Sequence, residues 1–339
     1  MRRTFFRSPI EALECRTVPA VGLSAGVLTI TGAPGAADTI VVSRSGGDAL
    51  VTLNGVDSLF ALSGINTVKI NGGVANDTIT YTLDKVVTIW GGEGNDTITT
   101  GGLLLARDAT IFGGVGDDTI TSTATGRVSV VGGAGNDTIV VNGASRVVIR
   151  GDSGNDTLTG STAGLATIAG GTGNDTMTCN ASSNAVIRGE GGNDIIQANN
   201  VGRASISGST GNDSIECTAT GAVVITGDSG NDSIICTTAA RATISGGTED
   251  DNILCNGTGS ATITGGADND IIIGGFGRNH IDGGTGNDTL TGRGIPGDWL
   301  SGGPDADSIT ATGGASKLYV SKLDTFFTTR IIDTITFVS

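Results

Sequence analysis

From residue 70 onward the apolar positions keep a beat. Ile79, Ile98, Ile120, Ile139, Leu158, Met177, Ile196, Ile215, Ile234, Ile253, Ile272, Leu290 and Ile309 each fall two residues after an aspartate. A second series, Ile70, Ile89, Ile111, Val130, Ile149, Ile168, Ile187, Ile206, Ile225, Ile244, Ile263, Ile281 and Leu300, precedes each glycine-bearing turn by two residues. Around both series apolar and polar residues alternate with period two, as in DTITT and ATISG, which predicts short half-buried strands. The aspartates Asp77, Asp96, Asp118, Asp137, Asp156, Asp175, Asp194, Asp213, Asp232, Asp251, Asp270, Asp288 and Asp307 are 19 residues apart in ten of twelve steps, the others being 22 and 18.

One 19-residue unit cannot bury its two aliphatics, but units stacked in register bury them against each other. The pattern therefore predicts an all-β, right-handed parallel β-roll or β-solenoid of about 13 coils over residues 71–310. At ~4.8 Å per coil it would be roughly 60 Å long. Residues 21–70 break the period and read as hairpins of an N-terminal β cap. Residues 311–339, with Tyr319, Phe326, Phe327 and Phe337, read as a C-terminal cap. Residues 1–20 read as a leader-like segment.

Composition narrows the partners. The 339 residues include 58 Gly but only five Pro, with no triplet period, which excludes a collagen-like chain. The net charge of −15 argues against nucleic acid and for cations as partners. No apolar run has the ~20 residues of a membrane span.

Stacking also lines up the aspartates. Two carboxylates ~5 Å apart repel by roughly 3–4 kcal/mol at an effective dielectric of 20. Either the side chains diverge, or they hold protons, or cations lie between them. Glycine turns let carbonyls face the same space, and an all-oxygen set without His or thiol suits Ca²⁺. Asn76, Asn95, Asn136 and Asn155, one residue before the aspartates, leave a metal-free hydrogen-bonded ladder as the alternative.

GGEGNDTIT, GGVGDDTIT, GGAGNDTIV and GGTGNDTLT resemble the calcium-binding nonapeptide of the repeats-in-toxin (haemolysin-type) family, Gly-Gly-x-Gly-x-Asp-x-apolar-x. The resemblance covers about residues 70–310. It implies a roll that binds calcium between successive turns through the aspartates and through turn carbonyls such as those of Gly91, Gly94, Gly113, Gly116, Gly132, Gly135, Gly151, Gly154, Gly170 and Gly173. The chain departs from the family on the other half of each coil. There the Asp-equivalent positions are apolar, as at Val87, Ala109, Val128 and Val147, and Arg127, Arg146, Arg203 and Arg241 precede some of them. That half is read as metal-free until Asn279 and Asp298, which suggest a second calcium site near the end.

The remaining candidates carry less chemistry. Cys179, Cys217, Cys236 and Cys255 share one rung and read as small buried hydrophobes. His280 is the only histidine, and falls in an irregular turn with no catalytic motif around it, so no enzyme is expected. Thr-x-Thr pairs such as Thr97 and Thr99 would face outward, which resembles ice-binding faces. The overall reading is a secreted or surface calcium-binding structural or adhesive protein of bacterial type, with calcium and cell-surface or matrix components as partners. Calcium-dependent ice binding, or service as a repeat domain beside an enzymatic or toxin partner, are the alternatives.

Overall fold

The computed structural model describes residues 19–101, 107–181, 183–293, 297–312, 317–320, 324–328 and 334–337. The leader-like segment before residue 19 and the ends of the tail lie outside these. Within them the chain is a parallel β-solenoid with a single 3-10 turn, Leu62–Gly64, as its one helical element.

Each coil supplies a strand that enters the aspartate turn and one that leaves it, for example Val86–Glu93 and Thr97–Thr100. The entering strands form one sheet face, the first sheet, and the leaving strands a second, the two joined where Thr138–Ser153 and Thr157–Thr172 run continuously from one to the other. Val87 pairs in register with Ala109, Ala109 with Val128, and so on along the first sheet. Ile98 pairs with Ile120 and Ile120 with Ile139 along the second. Both aliphatic series point inward and are buried throughout. Full burial of each contributes roughly 1.5–3 kcal/mol, and only neighbouring coils provide it.

The two irregular spacings leave this register intact. The longer unit still pairs Thr97 with Thr119, and the shorter one still pairs Ile271 with Thr289. The shorter unit loses its residue between the strands Ile271–Ile273 and Asn279–Thr285, on the edge opposite the aspartates.

At the N-terminal end the parallel stack begins earlier than the periodicity shows. Val27–Thr31 pairs with Thr67–Val74, and Thr39–Ser45 with Thr78–Tyr81. Antiparallel strands Asp48–Leu53 and Val56–Ala61 fold onto Thr39–Ser45. Their connection is Asn54-Gly55, both at positive φ (51° and 79°), the residues a tight hairpin requires. At the other end Lys317–Val320, Thr325–Thr328 and Thr334–Phe337 also pair in parallel with the preceding coils.

His280 is not in a turn. It lies in the strand Asn279–Thr285, pairs with Thr262 and Trp299, and stacks on the Trp299 ring at 3.8 Å. The 18-residue unit shortens the preceding turn, so the strand starts before His280.

Candidate metal-binding column

Every aspartate from Asp77 to Asp307 in the repeat is at most 2% exposed, on the inner side of its turn. The backbone embeds it. The Asp77 N–H donates to Oδ1 of Asp96 at 2.7 Å, and the same bond recurs from Asp137 to Asp156 and from Asp194 to Asp213. The Asp77 carbonyl accepts from the Thr97 N–H at 2.8 Å. One carboxylate oxygen of each aspartate is thus held by the preceding coil.

The other oxygen has no such partner. Oδ2 of all the repeat aspartates from Asp77 to Asp307 is buried without a hydrogen-bond donor. It faces the first glycine of its own turn. A Cβ added at Gly91 would collide with both Asp96 Oδ2 and the Gly113 carbonyl oxygen, and one at Gly170 with Asp175 Oδ2 and the Gly189 carbonyl oxygen. A carboxylate and a carbonyl of the next coil therefore open onto one space that only glycine leaves clear.

A buried oxygen of this kind takes a proton or a cation. Burial, first, pushes the carboxyls of Asp96, Asp137, Asp175, Asp213, Asp251 and Asp288 up to about 7, and those of Asp118, Asp194, Asp232, Asp270 and Asp307 to about 6. Asp77 and Asp156 move the same way. The backbone N–H on Oδ1 opposes the rise, and neighbouring carboxylates add to it in much of the column, as at Asp137. Among the described residues no three His, Cys, Asp or Glu side chains converge on one point. A cation here would need carbonyls to complete its shell, which is the ligand chemistry of Ca²⁺. Bound calcium would supply the positive charge that the column lacks.

The turn at Asn279 shows which carbonyls such a side chain faces. Asn279 Nδ2 donates to the carbonyls of Gly275 (2.9 Å) and Gly277 (3.0 Å), and its N–H donates to Asp298 Oδ1 at 2.9 Å. Asn279 Oδ1 accepts from the Gly275 N–H. These carbonyls belong to the second and fourth positions of the turn. The fourth corresponds to Gly94, Gly116, Gly135, Gly154 and Gly173. The second, Gly92 or Gly171 in other coils, is absent from the set read from the sequence, although it is glycine in nine of the thirteen coils, with Asp152, Glu190, Ser209 and Asp228 in the rest. At Asn279 the amide nitrogen already occupies the place between the carbonyls. Asn279 and Asp298 thus form a copy of the site in which an amide, in place of a carboxylate, faces the turn carbonyls.

A second ladder runs on the exposed side of the same turns. The Asn95 N–H donates to Asn76 Oδ1, Asn155 to Asn136 and Asn174 to Asn155, at 2.6–2.8 Å. Its bonds point in the opposite direction along the axis from those of the aspartates. The metal-free reading accounts for this ladder, but nothing in it reaches the buried Oδ2 atoms.

Two members of the column escaped the periodicity. Asp38 is buried, and its N–H donates to Asp77 Oδ1 at 2.7 Å. Both its oxygens are filled by protein, Oδ2 by the Ala33 N–H and Oδ1 by Asn54 Nδ2, each at 2.5 Å. The hairpin tip thus closes the column at that end. Asp324 follows Asp307, whose N–H donates to its Oδ1 at 3.2 Å. On the opposite edge, Val87, Ala109, Val128 and Val147 are buried core residues, and Cys179, Cys217, Cys236 and Cys255 are buried free thiols.

Neither the curated proteins nor the solved structures give a match to this chain. A family model, the RTX calcium-binding nonapeptide repeat, matches residues 87–102, 106–124, 112–143, 132–163, 161–178, 181–200, 219–235, 256–290 and 297–318, together more than half of the chain. With the repeated glycine turn, the buried aspartate column and these matches agreeing, the chain belongs to the RTX calcium-binding nonapeptide repeat family, whose repeats bind Ca²⁺.

Proposed function

We propose that the protein is a secreted or surface structural or adhesive element whose solenoid is completed by one column of calcium ions. The observation that carries this is the row of buried Oδ2 atoms, one per coil, each facing a glycine-lined space. The aspartates from Asp77 to Asp307 supply the carboxylates. The carbonyls of the first, second and fourth turn positions, such as Gly113, Gly92 and Gly94, supply the remaining oxygens. Binding energy at such sites is also folding energy, because the unfolded chain does not hold the ligands together. Extracellular calcium modules work at ~10⁻⁴–10⁻³ M, which couples folding to arrival outside the cell. No helix among the described residues is long and apolar enough to cross a membrane.

Chelation tests the proposal. EDTA at neutral pH should abolish the β-sheet circular dichroism, calcium should restore it, and magnesium should do so poorly. Full sheet signal in chelator would reject calcium as the folding cofactor.

The second reading, ice binding, draws on one observation. Thr78, Thr97, Thr119, Thr138, Thr157 and Thr176 align in register on the second sheet. The rank then meets Ile195, and its companion rank is broken at Val140. Thermal hysteresis lost on replacing Thr97 and Thr99 would favour it over the structural role.

A further inference from the structure

The solenoid sorts its charges by edge. Most acidic residues gather at the aspartate turns, with Asp84 and Asp108 on the opposite edge and Asp282 on the outer face of the first sheet as exceptions. On the opposite edge and the outer face of the first sheet lie Lys69, Arg127, Arg146, Arg150, Arg188 and Arg203, all exposed. Arg241 continues this edge. From Arg127 to Arg241 the acidic residues of the first-sheet strands are Asp152, Glu190 and Asp228, all at the far end beside the aspartate turn. Arg150 reaches Asp152 at 3.7 Å, but among the described residues Arg127, Arg146, Arg188 and Arg203 have no carboxylate within ion-pair distance. In a chain of net charge −15, unpaired arginines on one face mark a place for an anion.

We propose that this outer face binds a linear anionic polysaccharide lying along the solenoid axis. Arg127 and Arg146 are in direct register on adjacent strands, while Arg150 and Arg188 are two strands apart with Ala169 between. One pyranose unit is about as long as the ~4.8 Å step between strands, so successive sugar carboxylates or sulfates can meet successive coils.

The surface has concavity and hydroxyls as well as charge. A cleft of about 240 Å³ is lined by Thr110, Arg127, Ser129 and Arg146, with Asp108 tied to the Arg127 backbone N–H at 2.9 Å. Further along, a wider cleft of about 510 Å³ is lined by Thr29, Thr31, Lys69, Asn71 and Trp90. The Trp90 ring, 38% exposed and parallel to Phe112 at 6.0 Å, offers an apolar face to a sugar ring beside polar groups for its hydroxyls. A nucleic-acid duplex is wide enough to bring its phosphates against the acidic turns on the neighbouring edge; a single sugar chain is not.

Binding of a chondroitin sulfate oligosaccharide to the full chain in calcium, measured by calorimetry, tests the proposal. Far-UV circular dichroism of every variant checks the fold, so loss of binding is told apart from loss of the calcium-dependent structure. Binding should be absent with neutral dextran, should weaken with salt, and should fall roughly tenfold, or about 1.4 kcal/mol, in the folded Arg127→Ser/Arg146→Ser double variant. Trp90→Ala should weaken it independently. Unchanged affinity in the double variant would overturn the proposal, as would equal binding of dextran. Equal or tighter binding of a DNA oligonucleotide would replace the polysaccharide by a general polyanion and overturn it as well.

Discussion

Replacing Asp175 by Asn separates the two roles of the column. Asp175 Oδ1 accepts from the Asp156 N–H at 2.7 Å, and an amide oxygen would keep that bond. Oδ2, buried without a donor, would become an NH₂ group. Asn279 shows what such a group does, donating to the second- and fourth-position carbonyls of its turn, whose counterparts here are those of Gly171 and Gly173. In chelator at pH 8, Asp175→Asn therefore removes an orphaned buried oxygen that costs about 1–3 kcal/mol, and the variant should be more stable than the parent by that order. In calcium the sign reverses. Loss of one ion forfeits about 2.7 kcal/mol when calcium is at a hundred times its Kd. Asp175→Ala loses the Oδ1 bond too and should be destabilised in both conditions. Urea midpoints followed by far-UV circular dichroism, with and without EDTA, read the comparison. Equal destabilisation of Asp175→Asn in both conditions would refute the reasoning.

Other outcomes follow from the same geometry. In chelator, stability should be greatest at low pH and decline as pH rises through about 6–7, because burial raises the folded-state pKa of Asp96, Asp137 and Asp175 above the unfolded value; urea midpoints across pH check this. Calcium affinity should rise over the same range, since the ion competes with those protons, which titration calorimetry reads. Gly170→Ala should abolish one calcium ion and destabilise the chain even in chelator, because its Cβ occupies the space between Asp175 Oδ2 and the Gly189 carbonyl oxygen. Ile187→Ala, fully buried between Ile168 and Ile206, should cost about 2–5 kcal/mol by urea denaturation. The thiols of Cys179, Cys217, Cys236 and Cys255 should resist a thiol reagent until the chain is denatured.

What the sequence revealed and what it hid follow from what each feature is made of. The coil length, the two aliphatic series and the aspartate column are side-chain patterns repeated in register, so they stand in the sequence as plainly as in the fold. The carbonyl ligands are backbone atoms. Position two of the turn is glycine in most coils, but Asp152 or Glu190 presents the same backbone oxygen, so residue identity does not say which carbonyls line the site. Asp38 was hidden because the hairpin of Asp48–Leu53 and Val56–Ala61 sits between it and Asp77, removing the 19-residue step. Asn279 is ambiguous in the sequence because Asn offers both an oxygen and a donor. The sequence does not say which faces the carbonyls; the two acceptors and the one donor around it do.

Calcium stoichiometry at equilibrium, by flow dialysis on the folded full chain at pH 8, addresses the central claim most directly. One ion for each gap between successive aspartates of the buried column, with none added for the Asn279 turn, is the expected result. A chain that stays folded and takes up no calcium would show that the buried carboxylates are held by protons and the backbone alone.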